Sequence, residues 1–226
     1  MDCSMKDLKQ LLFKFKNSKN YNFDDFFVSD SNFFAYNLVL NWPNWGKNIL
    51  NVYGEKFSGK THLSDIFQKK FSANKIDAKN LDANFLEKFK THQNLIIDNF
   101  NENINEENMY SLINLVDRDN KFILINSITQ INKLNFRLKD LSSRLNNCIF
   151  AKINIPDDEL IYAILIKNFS DKQVKINKKY IEYIIKNIDR SYEKIYEFIH
   201  KIDQTSLKRK KPIDLKTIKE ELENNE

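Results

Sequence analysis

The chain has 226 residues, of which 42% are apolar, and a formal net charge of +5. This length is enough for one hydrophobic core, or for one core and a small second domain. No apolar run approaches the roughly 18 residues that a membrane span needs, and the first residues do not form a signal peptide. Two cysteines and three scattered histidines exclude a disulfide framework and a His/Cys metal site. The composition therefore predicts a cytoplasmic protein without a membrane partner.

The positive charge raises the question of nucleic-acid binding. Lysine greatly outnumbers arginine and the basic residues are spread along the chain, so the bias is global. The one dense basic cluster lies at 208–211, just before Pro212, and is best interpreted as a solvated loop. We therefore expect no direct DNA-binding module.

The order of apolar patterns predicts an α/β protein. Apolar runs at 48–53, 94–98, 121–126 and 148–153 predict four strands. Helical patterns occur at 30–38, 60–71, 106–116 and 138–145, and after Pro156 only helices are predicted, at 157–169, 177–188, 191–202 and 214–222. Strands alternating with helices indicate a mostly parallel sheet covered on both faces. We expect a flexible segment at 1–20, an α/β base domain at 21–154 and a helical lid domain at 155–226.

The segment from Gly54 to Thr61, with the sequence G-E-K-F-S-G-K-T, has the pattern of a P-loop. It lies between a predicted strand and a predicted helix, and it contains two of the three glycines in the chain. We expect the backbone N–H groups of the loop, which includes Gly54, Ser58 and Gly59, to face phosphates. Lys60 would reach the outer phosphates and the Thr61 hydroxyl would ligate Mg²⁺. The alternative is a turn that happens to precede a basic helix.

Two strand ends supply further polar candidates. Asp98 ends an apolar strand where a Mg²⁺-holding aspartate of a P-loop protein is expected, although it could also be an ordinary turn residue. Asn99 follows it where hydrolysing proteins of this class commonly have glutamate; an amide cannot accept a proton from water, so we expect slow hydrolysis or none. Asn126 ends the next strand and could contact the γ-phosphate or the attacking water, although asparagine also commonly begins turns.

Arg144 is one of five arginines in a chain dominated by lysine. Arginine is favoured over lysine where planar, bidentate phosphate contact is needed. An arginine finger that acts across an interface is therefore one interpretation of Arg144, and a surface salt bridge is the other.

Several stretches resemble the DnaA branch of the AAA+ ATPases, and specifically the Hda family, over about residues 10 to 222. They are 21–27, which contains Phe26 and Phe27, the P-loop ending Gly59-Lys-Thr-His-Leu63, the box 138–145 and the lid segment 188–192. The resemblance implies an AAA+ core that binds ADP or ATP with Mg²⁺. It also implies that Phe26, Phe27 and His62 line the nucleotide pocket and that Arg144 is the arginine finger. The second-sensor arginine of the family is replaced by Glu193, and Arg190 could substitute for it.

The segment Gln10-Leu-Leu-Phe-Lys-Phe15 looks like the short peptide with which Hda proteins dock on the β sliding clamp. Gln10 would be the polar contact, while Leu11, Phe13 and Phe15 would enter an apolar groove. The alternative is a helix or strand that covers the core. We expect no long N-terminal oligomerisation domain and no C-terminal helix-turn-helix module, which favours Hda over DnaA itself.

The resemblance implies a regulator that binds the clamp, contacts DNA only through it, and stimulates ATP hydrolysis by the DnaA initiator in trans. Such a protein would be cytoplasmic, associated with the bacterial nucleoid through the clamp, and a monomer or homodimer. It would not be an efficient ATPase by itself. The alternatives are an autonomous ATPase of the DnaA branch, such as a helicase loader, and a small P-loop kinase.

Overall fold

The computed structural model describes residues 26–172, 176–209 and 213–223. These residues form two compact units. One unit is Asn32–Asn154; the other combines 26–31 with the described residues from Ile155 onward. None of the helices in the described ranges is both long and apolar enough to cross a membrane.

The first unit contains a five-stranded sheet with helices between the strands. Its elements are α1 (Phe33–Leu40), β1 (Ile49–Tyr53), α2 (Lys60–Phe71), β2 (Asn74–Asp77), α3 (Ala83–Phe89), β3 (Asn94–Phe100), α4 (Glu106–Asp119), β4 (Phe122–Ser127), α5 (Lys139–Asn146) and β5 (Ile149–Lys152). The strand order is β2-β3-β4-β1-β5, and every neighbouring pair is parallel. The predicted α/β fold class is therefore confirmed.

The central strands carry apolar residues at consecutive positions because helices cover both faces of a parallel sheet. In β3 and β4, Leu95, Ile96 and Ile97 pair with Ile123, Leu124 and Ile125, and all six are fully buried. Four of these residues, Leu95, Ile97, Ile123 and Ile125, belong to one hydrophobic cluster, which residues of α3, α4 and α5 complete. This core fixes the carboxyl ends of the strands, where the candidate site lies.

Two elements, β2 and α3, were not predicted from the sequence. The sequence of β2 is Asn-Lys-Ile-Asp, which has a single apolar residue and is only half-buried along its length. It lies at the sheet edge, where short and charged strands disfavour pairing with other chains. Its pairing with β3 is what makes it a strand, with Asp77 beside Asp98 in the register.

The second unit is helical in its described part. It contains α6 (Asp158–Asp171), α7 (Lys178–Asn187), α8 (Tyr192–Arg209) and α9 (Leu215–Glu223), at the places of the four predicted helices. The third is longer than the predicted 191–202, and it includes Lys208 and Arg209, which were predicted to lie in a solvated loop. The helices share a hydrophobic cluster that includes Ile161, Phe198 and Ile218. The Asp157 side chain caps α6 by accepting from the Leu160 N–H, and it also accepts from the Ser31 N–H. This contact ties 26–31 to the helical unit.

Candidate functional site

The P-loop connects β1 to α2 through a turn that glycine makes possible. Gly59 immediately precedes α2 at φ 91°, a left-handed conformation that favours glycine. A Cβ at Gly54 would lie 2.8 Å from the carbonyl oxygen of Ile153, at the end of β5. The N-cap of α2 is Gly59, which has no side chain to cap the helix, so the first N–H groups of α2 are available to a bound anion. The predicted strand–loop–helix arrangement is confirmed.

The Lys60 ammonium lies inside the loop. Its Nζ donates to the backbone oxygens of Gly54 at 2.8 Å and Glu55 at 2.7 Å, and to Ser58 Oγ at 3.3 Å. Burial lowers the pKa of Lys60 to about 8, although the negative charges of Asp98 and Glu55 favour the protonated form. The loop thus holds a cation at the place where a phosphate-binding cation is expected, and a bound anion would further favour its charged form.

Asp98 lies on β3 next to the first turn of α2. The Thr61 hydroxyl donates to Asp98 Oδ2 at 3.1 Å. A hydroxyl and a carboxylate in contact are the oxygen ligands that Mg²⁺ takes in P-loop sites, together with phosphate oxygens and water. Among the described residues, no group of three or more His, Cys, Asp or Glu side chains could hold a metal by itself. The donor set therefore fits a Mg²⁺ shared with a ligand's phosphates, and ligation by Thr61 and Asp98 remains a prediction.

Asn126, at the end of β4, is part of the same cluster. It is 1% exposed, and its Nδ2 donates to Ser64 Oγ at 2.6 Å and to Asp98 Oδ1 at 3.3 Å. Its Oδ1 is buried without a hydrogen-bond partner among the described residues. The structure brings Asn126 to Asp98, its predicted contact with a phosphate or water stays a prediction, and the contribution of Ser64 from α2 was not predicted.

Asn99 points toward the sheet edge. It has a left-handed backbone conformation at φ 57°, its side chain is exposed, and its Nδ2 donates to Asp77 Oδ2 at 2.8 Å. This hydrogen bond is the largest cause of the lowered pKa of Asp77. Asn99 is thus engaged with the edge strand β2, and its expected effect on hydrolysis stays a prediction.

Lys75, on β2, is a site residue that the sequence analysis did not identify. Its Nζ lies 2.6 Å from Asp65 Oδ1 on α2 and 3.4 Å from Asp98 Oδ2. The sequence contained a weak signal, an isolated Ile76 between two charged residues ahead of a helix. Lysine is so common in this chain that the position of Lys75 could be recognised only after β2 had been paired with β3.

Arg144 lies on the exposed face of α5. Its guanidinium forms an ion pair with Asp117 of α4 and lies 5.9 Å from the centroid of the Tyr110 ring. The side chains of both charged residues are exposed, and exposed pairs of this kind are worth about 0–1 kcal/mol. The geometry therefore leaves both interpretations open, a surface salt bridge and a finger that another molecule could engage.

The remaining predicted site residues are distributed over both units. His62 lies in the first turn of α2, while Phe26 and Phe27 belong to the helical unit and are half-buried. Arg190 is exposed in that unit and pairs with Asp158 at 2.7 Å. Their contacts with a nucleotide stay predictions. The predicted clamp-binding residues Gln10, Leu11, Phe13 and Phe15 lie outside the described residues.

The chain is similar in sequence to chromosomal replication initiator proteins. It is 27% identical over 227 residues to DnaA of Borrelia turicatae, an alignment that covers 88% of this chain and 45% of that protein. It is 26% identical over 228 residues to DnaA of Treponema denticola, covering 88% and 48%. The chain thus spans about half the length of the curated relatives it matches. No protein-family model matches it.

The solved structures that this chain resembles also include DnaA proteins. Domain III of the Thermotoga maritima replication initiation protein DnaA superimposes with a TM-score of 0.75 at 24% identity, over 93% of this chain and 98% of that one. The AMPPCP-bound DnaA of Aquifex aeolicus has a TM-score of 0.66 at 20% identity, over 86% and 70%. The RuvB branch migration motor of Thermotoga maritima has a TM-score of 0.59 at 20% identity, over 78% and 61%. The chain is thus similar in sequence to DnaA and has the fold of DnaA domain III.

Proposed function

We propose that this chain, which has the fold of DnaA domain III, binds ADP or ATP at the loop Gly54–Thr61 and regulates replication initiation in the manner of Hda. The nucleotide part of the proposal rests on the loop, on Lys60 inside it and on the Thr61–Asp98 contact at 3.1 Å. Two structural relatives described as bound to AMPPCP support it. Thr61 and Asp98 would hold Mg²⁺, which supplies charge neutralisation at the phosphates when bound.

The chain's own residues account for how the phosphates would be held. Lys60 would leave the carbonyl oxygens of the loop and donate to phosphate oxygens, because an anion stabilises the ammonium more than neutral carbonyls do. The N–H groups of the first turn of α2 would donate to the same phosphates. Asn126, held by Ser64, would position a water or a phosphate oxygen beside Asp98.

The regulatory part of the proposal rests on one observation. Arg144 is an exposed arginine on a fold homologous to DnaA, in a chain where Asn99 occupies the position of the expected hydrolytic carboxylate. Its ion pair with Asp117 is exposed, so a phosphate oxyanion of a partner could replace Asp117 at little cost. Arg144 would then neutralise transition-state charge in ATP-bound DnaA, which switches the initiator off.

The chain would reach its partner through Gln10, Leu11, Phe13 and Phe15 on the β sliding clamp. In that arrangement it contacts DNA only through the clamp, and it lies in the cytoplasm with the nucleoid. A monomer or a homodimer is compatible with this arrangement.

Hydrolysis of ATP by DnaA, measured with DNA-loaded clamp, tests the regulatory proposal. Arg144→Ala is expected to retain nucleotide and clamp binding and to lose stimulation. Arg118→Ala is the matched control, because Arg118 is also an exposed arginine in an ion pair, with Asp119 at 2.8 Å. Stimulation by Arg144→Ala at the wild-type level would contradict the role of the finger.

A pull-down with the clamp, comparing wild type with Gln10→Ala/Phe13→Ala, tests the docking separately.

An autonomous ATPase of the DnaA branch is the second candidate, and the homology with DnaA favours it over a small P-loop kinase. A turnover assay on the isolated protein separates it from the regulator. Robust hydrolysis despite Asn99 would favour the autonomous enzyme.

A further inference from the structure

Lys75 has a place in the candidate site that the proposed function does not use. Its ammonium lies between two carboxylates, 2.6 Å from Asp65 Oδ1 and 3.4 Å from Asp98 Oδ2. Its side chain is 22% exposed and that of Asp98 is 12% exposed. Water and salt therefore screen this ion pair less than a surface pair.

Asp98 is surrounded by donors on both oxygens. Oδ2 faces the Thr61 hydroxyl and the Lys75 ammonium, and Oδ1 accepts from Asn126 Nδ2 and from the Asn99 N–H at 3.1 Å. An ionised carboxylate offers about four lone-pair sites. The four donors therefore engage the carboxylate that would otherwise attract a cation.

This arrangement changes what a divalent ion adds at the site. In a P-loop site, Mg²⁺ neutralises phosphate charge and also the charge of the aspartate that holds it. Here Asp65 and Asp98 share the Lys75 ammonium, which offsets part of the Asp98 charge, so the carboxylate repels an incoming phosphate less when metal is absent. A divalent ion held by Thr61 and Asp98 would therefore gain less from this carboxylate than it would without Lys75.

We infer that Lys75, held in place by Asp65, is a built-in cation of this site, and that nucleoside di- or triphosphates bind here with little dependence on Mg²⁺. The inference rests on the nucleotide binding proposed above. It concerns Lys75 in particular, since Lys60 belongs to the ordinary P-loop pattern. Asp65 is the positioning residue, because its contact at 2.6 Å holds the ammonium at a place 3.4 Å from Asp98 Oδ2.

Equilibrium titration of the full chain with a fluorescent N-methylanthraniloyl ADP tests the inference, once with Mg²⁺ and once with EDTA. For the wild type we expect the two dissociation constants to agree within about threefold. Lys75→Gln keeps a hydrogen-bond donor for the carboxylates but removes the charge. It is expected to bind at least about tenfold more weakly in EDTA than in Mg²⁺, the scale of one partly screened charge interaction.

Two further variants act as controls. Lys75→Arg preserves the charge and should restore binding in EDTA. Lys88→Gln removes the charge of an exposed lysine on α3 and should behave as wild type. Thermal unfolding without nucleotide establishes that each variant is folded, and the wild-type comparison decides the matter if Lys75→Gln does not fold.

The outcomes separate this inference from the proposed function. Tight wild-type binding in Mg²⁺ that weakens more than about tenfold in EDTA would overturn the inference alone. Equal insensitivity to EDTA in wild type and Lys75→Gln would overturn the role of Lys75. No binding under either condition would overturn the nucleotide-binding proposal and the inference with it.

Discussion

At one end of the candidate site, β1, the P-loop and α2 follow one another in the chain, and Lys60 contacts loop residues no more than six positions away. At the other end, Lys75, Asp98 and Asn126 lie on three different strands and meet only because β2, β3 and β4 pair in parallel. The first end is a local motif of the kind that binds anions. The second is a tertiary cluster in which Lys75 balances a carboxylate, so the two ends should respond differently to mutation, pH and metal.

The largest effect is expected at the P-loop end. Lys60→Met removes the ammonium but keeps most of the apolar stem, and it should weaken binding of a fluorescent ADP analogue at least ~100-fold, because charge-assisted hydrogen bonds to phosphate are lost. The same titration on Lys75→Gln in Mg²⁺ should show a much smaller loss. If the two losses were equal in Mg²⁺, the contrast between the two ends would be wrong.

Gly54→Ala tests the packing of the loop. The added Cβ would lie 2.8 Å from the Ile153 carbonyl oxygen, so the backbone must shift. We expect the free energy of unfolding, measured in urea, to fall by about 2 kcal/mol. Gly46→Ala is the matched control, since a Cβ there has nothing within 4 Å and meets only the strain of φ +73°. Gly46→Ala should lower the free energy of unfolding by about 1 kcal/mol. A larger loss for Gly46→Ala would contradict the close approach at Gly54.

The pH dependence of nucleotide binding tests the role of Lys60. Because its pKa is lowered to about 8 in the folded chain, we expect nucleotide affinity to fall above pH 8 by up to ~tenfold per pH unit. The unfolded chain binds more protons than the folded chain between about 8 and the ordinary value of 10.5, so the contribution of Lys60 to the free energy of unfolding increases over this range.

These opposite directions provide the control for the pH prediction. Urea unfolding of wild type and Lys60→Met should show a stability difference that shifts in favour of wild type as pH rises from 8 toward 10. A binding loss caused by unfolding would instead be accompanied by lower wild-type stability. A wild-type affinity that stayed constant to pH 10 would show that Lys60 does not titrate in this range.

The smallest effect is expected at the sheet edge. Asn99→Ala removes the hydrogen bond to Asp77 and places alanine in a left-handed conformation. Together these two changes should lower the free energy of unfolding by about 1 kcal/mol. Asn99→Gly tolerates that conformation and should recover part of this loss. The pKa of Asp77, followed by carboxyl NMR, should rise in both variants because the Asn99 hydrogen bond is the largest cause of its lowering. An unchanged Asp77 pKa would exclude the Asn99–Asp77 contact in solution.

The contrast between the two ends also explains which predictions succeeded. The four apolar strands were predicted because helices cover both faces of the sheet and so select continuous apolar runs. The P-loop was predicted because its glycines, lysine and threonine are adjacent in the chain. β2 was missed because an edge strand with one apolar residue has no such pattern, and its contribution of Lys75 was missed with it.

The sequence by itself determined the α/β class, the position of the loop and the residues at the ends of the apolar strands, since each depends on neighbours within a few positions. The tertiary structure alone decided what surrounds Asp98. Strand order and register bring Thr61, Lys75 and Asn126 to one carboxylate from distant parts of the chain. The charge balance of the site arises from contacts across the sheet, and local sequence patterns do not encode those contacts.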